Sequence, residues 1–434
     1  MMDRRNFLKG AAAAGTVVSV SPLLPKWSFA ANTPVPAGLV ELPDPRQRPY
    51  VTALTPEMIA DNNDGWVYYG AECNASFGPN LVNAKSQMTD DMFVKNPFMV
   101  RGSCYYPNTG EIGHGIHWET FSFIEWMLEG RFKFERFYGQ VLHTLADGWT
   151  ALRSGLMDFT QIYHQHNQGA FQLSMADGLP FLFNSQVVSS QVMMEMYPKY
   201  FKPELEKQGM YCAFIPHFDV QSIICTTPIR RMEDLRGKRI MGFGGEVLRD
   251  TLIGLGATPV QLPTPDIFIG LQRGVIDGVA WAVGGIIDWR YHEIAKYTTI
   301  TGMAQARIDY GWNRPFWDRI PKPFAEEIYY WMQVAGNHCA EGYTKLEDRG
   351  VEQLEAVGIE IIHLPDEEKK RWNEVGDRVW QQWIARHEAN GLPARQFAID
   401  FRTAAGKYND MSIREIRNYV LDKKNLIRGI IDGF

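Results

Sequence analysis

The chain has 434 residues, of which 45% are hydrophobic and 13% aromatic, and a formal charge of −6. That length and apolar content suit two or three domains with sizeable cores. The acidic balance and the lack of any basic tract argue against a nucleic-acid partner.

The chain opens with Asp3-Arg4-Arg5-Asn6-Phe7-Leu8-Lys9, an apolar run from Ala11 to Val20, and a small-residue cleavage site at Ser28-Phe29-Ala30. Paired arginines before Phe-Leu-Lys mark a twin-arginine export signal, so residues 1–30 read as a signal peptide and the chain as periplasmic. The apolar run is too short for a permanent anchor. No later stretch reaches about 20 uninterrupted apolar residues, so the mature chain is expected to be soluble. Residues 31–95 begin with a Pro-rich arm, Asn32 to Tyr50, and go on to Trp66, Tyr68, Tyr69, Phe77 and Phe93. That is too apolar for a disordered linker and predicts an N-terminal extension packed on the next domain.

Phe98 to Tyr105 is expected to be the first sheet strand and Trp118 to Leu128 the first helix. Phe132 to Tyr138 alternates as a strand, Asp147 to Arg153 reads as a helix, and Leu156 to Tyr163 as the next strand. From Thr226 to Met303 the elements come almost without filler. Lys238 to Met241 is a strand, and Gly242-Phe243-Gly244-Gly245 a turn tolerant of positive φ. Glu246 to Leu255 is a helix closed by Gly256. Thr258 to Leu262 is a strand, Thr264-Pro265-Asp266 a helix start, and Val275 to Trp281 a strand. Strands alternating with short helices predict a parallel α/β sheet with right-handed crossovers.

In such sheets ligands sit beyond the carboxyl ends of the strands. The Gly242–Gly245 turn and Trp281 fall there. The N–H groups of a helix start favour an anion, Arg239 offers a bidentate donor for a carboxylate, and Phe243 and Trp281 offer apolar walls. His114, His117, His164 and His166, with Glu119 and Asp158, have the donor chemistry of metal ligands. The chain has no His-Glu-x-x-His and no cysteine ligand set, so neither metal nor other cofactor is expected. The glycine turn lacks dinucleotide spacing, and no serine-hydrolase signature is present. Five cysteines, none in Cys-x-x-Cys, leave disulfides and buried thiols equally open.

These residues resemble the solute-binding proteins of tripartite ATP-independent periplasmic (TRAP) transporters. The matching features are Asp234-Leu235-Arg236-Gly237-Lys238-Arg239-Ile240, Leu255-Gly256-Ala257-Thr258-Pro259, Leu271-Gln272-Arg273-Gly274-Val275-Ile276-Asp277-Gly278, Gly130 to Glu135, Leu152 to Asp158, and Leu179-Pro180-Phe181. The resemblance implies an α/β fold of two lobes, type II-like, with a long helix spanning both, here from about Pro323 to Tyr343. Lobe 1 would hold 96–217 and about 306–345, lobe 2 218–305 and about 346–390, and 391–434 would form a C-terminal helical tail opened by a capping box at Ser412. It further implies that one arginine holds the substrate carboxylate. An ungapped match from Asp234 puts that arginine at Met241, whereas a match on the glycine turn puts it at Arg239, the preferred position. A second basic position of some members falls near Val220. Tyr163 and Trp312 join Arg239, Phe243 and Trp281 as ligand-binding candidates. Few charges and many rings suggest a monocarboxylate or a bulkier apolar or aromatic acid. The implied partners are that acid and the membrane permease subunits, with the receptor a monomer or homodimer. Two rival readings are an exported hydrolase or lyase on a binding-protein scaffold and a sensory receptor docking to a kinase.

Overall fold

Two sheets divide the chain between them. The computed structural model describes residues 97–434 apart from 107–110, 129–130, 167–168, 243–244 and 304, so the signal and the 31–95 extension lie outside the described residues. In chain order the elements are β1 Phe98–Cys104, α1 Glu119–Met127, β2 Phe132–Tyr138, α2 Gly148–Arg153, β3 Phe159–Ile162, α3 Gln186–Met196, α4 Lys202–Lys207, β4 Met210–Phe214 and β5 His217–Cys225. Then come β6 Arg239–Gly242, α5 Gly245–Gly254, β7 Thr258–Val260, α6 Ile267–Gln272, β8 Gly278–Ala282, α7 Val283–Asp288, β9 Tyr297–Ile300, β10 Gln305–Arg307 and β11 Asp309–Asn313. The chain ends with α8 Arg314–Trp317, α9 Lys322–Ala356, β12 Glu360–His363, α10 Asp366–Ala389, α11 Ala394–Asn409 and α12 Ile413–Leu421.

The first sheet has the order β2-β1-β3-β11-β4, the second β12-β9-β5-β8-β6-β7, with β10 paired to β5. β1, β2 and β3 are parallel, as are β6, β7 and β8, and each set is flanked by one antiparallel strand, β11 or β5. Each flanking strand enters from the other lobe, because β5 leaves the first sheet after β4 and β11 returns to it after the second. The two crossings also pair with each other, Arg307 facing His217 and Ala306 facing Phe218.

No internal repeat is visible in the sequence, yet the structure contains one. In lobe 1 the Arg101 backbone N–H and Nε donate to Asp158 Oδ2 at 2.9 and 3.0 Å, and Nη2 donates to Oδ1 at 2.7 Å. In lobe 2 Arg239 makes the same three bonds to Asp277, at 2.7, 3.0 and 2.9 Å. The aspartate N–H returns a bond to the arginine carbonyl in both, at 3.1 and 2.8 Å. Each aspartate follows a helix closed by a left-handed glycine, Gly155 at φ 76° and Gly274 at φ 64°. The clamp thus ties the start of one strand to its parallel neighbour at the exit of the crossover, where the glycine reverses the chain without a Cβ penalty.

The 35-residue α9 is about 52 Å long at 1.5 Å per residue, enough to run along both lobes. It packs on α1 and α3 of lobe 1 and on α7 and β12 of lobe 2. Where it crosses α7, a Cβ on Gly350 would lie 2.7 Å from the Gly284 Cα, so only glycine allows that approach. Ser412 and Glu415 form the reciprocal capping box that opens α12, and α12 docks on α9 through the buried Arg417–Glu341 pair. Among the described residues no helix is long and apolar enough to cross a membrane. Cys104, Cys212, Cys225 and Cys339 are buried free thiols.

The clamp makes a prediction. Asp158→Ala removes three accepted bonds from a carboxylate whose side chain is only 7% exposed, and it should lower stability in urea unfolding by about 1–3 kcal/mol. Asp277→Ala, at a side chain 25% exposed, should cost less. An unchanged midpoint in Asp158→Ala would show that the clamp has no structural weight.

Candidate functional site

The carboxyl ends of the parallel strands in the two sheets face one another. β1 runs into Tyr105 and Tyr106, β3 into Tyr163, and β7 into the 261–265 loop. Between them is a cavity of about 390 Å³, bordered by Tyr105, Gln140 and 144–146 on lobe 1 and by 261–265 on lobe 2. No charged side chain is among the described residues that line it. Tyr105 and Thr264 border the gap from opposite sides. Burial pushes the Tyr105 phenol pKa up.

Behind Tyr105 lies a polar network built on His117. Its Nε2 is 2.7 Å from the Tyr343 hydroxyl on α9 and its Nδ1 is 2.6 Å from the Tyr310 hydroxyl on β11. The Gln161 amide donates to the Tyr310 hydroxyl at 3.0 Å, and its carbonyl accepts the Tyr105 N–H at 2.7 Å. Tyr106 stacks on the imidazole with 5.1 Å between centroids. Burial lowers the His117 pKa to about 3, so the ring is neutral and offers one donor and one acceptor to its two tyrosines. His117 is therefore a structural hub of the cleft floor, not a metal ligand. Asp158 belongs to the clamp and His164 lies 3.3 Å from the buried Asp309. The side chains of His114 and His166 lie outside the described residues. Among the described residues no group of three or more His, Cys, Asp or Glu is placed to hold a metal.

The predicted ligand residues separate. Tyr163 sits at the cleft end of β3, 6% exposed and edge-on to Tyr105 at 6.0 Å. Trp281 is half-buried at the cleft end of β8, edge-on to Tyr291 at 5.6 Å and to Trp289 at 6.2 Å. It rests on Gly285, where an added Cβ would come 2.7 Å from its Nε1. Phe243 lies outside the described residues.

Arg239 requires correction. It begins β6, so Gly242 at the cleft end is three residues, about 10 Å, further on. Its guanidinium is held by Asp277, which pushes the arginine pKa up while the carboxyl is pulled below the usual range. The other alignment fares no better, since Met241 is fully buried in the lobe 2 core. Trp312 requires correction too. It is fully buried and pairs with Phe159, the first residue of β3, at the end of the strand away from the cleft. There it packs on Phe159, Phe316 and Trp317. Tyr105, Tyr106 and Tyr291 are cleft-side residues that the sequence reading does not name as ligand-binding, and His117, named there as a candidate metal ligand, stands here as a hydrogen-bonding hub. Only the Tyr105-Tyr106 pair carried a signal, by following the first strand directly.

The family model described as bacterial extracellular solute-binding protein, family 7, matches residues 120–387. A twin-arginine translocation signal matches residues 1–21, so the chain is exported to the periplasm by that route. The ectoine-binding periplasmic protein TeaA of Halomonas elongata is 26% identical over 216 residues, 49% of this chain and 61% of its own length. The match thus spans less than two thirds of that relative. A TRAP solute-binding protein of Rhodoferax ferrireducens, solved with copurified benzoate, superposes with a TM-score of 0.66 at 18% identity over 71% of this chain and 98% of its own. One from Bordetella bronchiseptica with bound (R)- and (S)-mandelate gives 0.65 at 22% identity over 72% and 99%. These likenesses agree with the two-lobe fold expected from the sequence.

Two predictions come from this geometry. Arg239→Ala should reduce stability yet leave ligand affinity as in the wild type; calorimetric titration showing weakened binding would return Arg239 to the site. Glu119, buried beside Arg136, has its pKa raised from 4.5 to about 7 by burial, with Arg136 opposing. The folded state therefore holds a proton that the unfolded state releases, and stability is lost as pH rises from about 4.5 to 7. Glu119→Gln should remove that loss, on the order of 2–3 kcal/mol, so the two proteins should converge near pH 4.5 and diverge at pH 8. Parallel stability profiles would contradict the shift.

Proposed function

Because the chain belongs to the bacterial extracellular solute-binding proteins of family 7, we propose that it captures a small organic acid in the periplasm by closing its lobes. It then presents the closed complex to a TRAP-type membrane permease. The observation that carries this reading is the cavity between the two sets of strand ends, bordered by Tyr105 from lobe 1 and Thr264 from lobe 2. Two crossing strands and one long helix join the halves, so they turn as bodies while their cores stay packed.

Trp281 and Tyr163 supply ring walls for the ligand. Rings and uncharged polar groups favour a monocarboxylate or aromatic acid over a small dicarboxylate, and the benzoate and mandelate complexes of its structural relatives support that class. The ligand leaves unaltered. The family is one of solute-binding proteins, and the buried His117 at the cleft floor is committed to two tyrosines.

Native mass spectrometry of the mature protein should reveal a retained organic acid, and small-angle scattering should show contraction when that acid is restored after denaturing and refolding. Tight binding of C4 dicarboxylates alone would overturn the ligand class, and turnover of the bound compound would favour the enzyme reading.

A further inference from the structure

Two hydroxyls of lobe 2 stand beside Trp281 with nothing to bond. Tyr291 is fully buried and its hydroxyl has no hydrogen-bond partner. The same holds for Ser222, which faces Trp281 directly across the β5–β8 ladder. The Tyr291 ring meets Trp281 at 87°, so the three residues form one patch. Buried hydroxyls are seldom left unsatisfied, because they lose water and gain nothing in return.

The patch faces the other lobe. Trp281 is half-buried at the cleft end of β8 with Tyr291 against it, and burial together with the charge of the Tyr105 phenol, which borders the interlobe cavity from lobe 1, pushes the Tyr291 pKa up. Among the described residues that line the cavity there is also no cation of the kind a carboxylate site would be expected to contain. Arg239 is held by Asp277, Met241 is buried, and the described cavity wall carries no charge.

We propose that Tyr291, with Ser222, determines ligand choice in this cleft by donating neutral hydroxyl bonds to the acid group of a ring-bearing monoacid, with Trp281 as the platform for the ring. This rests on the organic-acid reading above and narrows it. A carboxylate accepts short, strong O–H···O⁻ bonds, so two hydroxyls can hold one negative charge. A second carboxylate would be buried with no opposing charge, so dicarboxylates are selected against.

The test is calorimetric titration of the mature protein with benzoate, 3-hydroxybenzoate, mandelate and succinate, for the wild type, Tyr291→Phe and Ser222→Ala. The wild type should bind an aromatic acid more tightly than succinate. Tyr291→Phe should weaken that acid about tenfold or more, with the ligand-free unfolding midpoint unchanged or raised, because the lost hydroxyl bonds nothing. Should Tyr291→Phe fold poorly, Ser222→Ala gives the same readout with a smaller loss. If both variants bind the aromatic acid as the wild type does, or if succinate is the tightest ligand, the hydroxyl assignment is overturned while the receptor reading stands. If the wild type binds none of the four, the organic-acid reading fails and this inference with it.

Discussion

The arginine–aspartate clamp, made once in each lobe, is the constraint on which the rest of the molecule depends. A parallel pair of strands cannot be joined by a tight turn, so its register must be set by the crossover. Here the register is set where the crossover ends. Asp158 and Asp277 each accept a backbone N–H and a guanidinium from the neighbouring strand and return their own N–H to its carbonyl. One carboxylate thereby ties together two neighbouring strands that two helices and a third strand separate along the chain. With the strands fixed at their entry ends, their exit ends are positioned too, and those ends carry Tyr163 and Trp281.

The clamp also accounts for the character of the cleft. An arginine that holds a carboxylate of its own chain cannot hold that of a ligand, and Arg239 lies at the wrong end of its strand in any case. Among the described residues, what lines the cavity is uncharged: Tyr105, the threonines Thr144 and Thr264, two glutamines and aliphatic side chains. On lobe 1 the tyrosines are kept rigid from behind by His117, which joins β11 to α9 through two phenols. A neutral imidazole suits this task, since a charged one would be buried with no counter-ion. The floor of lobe 1 therefore keeps its hydrogen bonding across the physiological pH range, because the ring pKa lies near 3.

Much of the scaffold could be read from residue patterns. Gly155, Gly256 and Gly274 all adopt the left-handed conformation that their places after helical stripes imply. The Ser412 cap closes on Glu415 as its spacing requires. β8 begins later than the apolar run suggests, at Gly278, because Ile276 and Asp277 are used by the core and the clamp. The site was much less legible. Arg239 has the residue type of a carboxylate anchor, but its fate depends on Asp277, 38 positions away, in an adjacent strand. Trp312 looks like a cleft aromatic until β11 is seen to run antiparallel to β3, which carries it to the far end of the sheet. Tyr291 belongs to no motif, and only the fold brings it to Trp281.

The crossing region shows how two halves remain one machine. Only Ile308 separates β10 from β11, and on either side Arg307 and Asp309 pair through both carboxylate oxygens at 2.6 Å with neither side chain exposed. Burial pushes the Asp309 carboxyl pKa up and the guanidinium opposes it. The Arg307 guanidinium lies 4.7 Å from the Phe201 ring centroid, which adds an apolar face able to accept its charge. A pair this dry gains little net stability over apolar residues of the same volume, but breaking it leaves an uncompensated charge and costs about 3–5 kcal/mol. Its effect is to penalise any path in which the crossing strands slip or separate. The closing motion proposed above can then be a rotation around an intact crossing, which brings the same strand ends together each time.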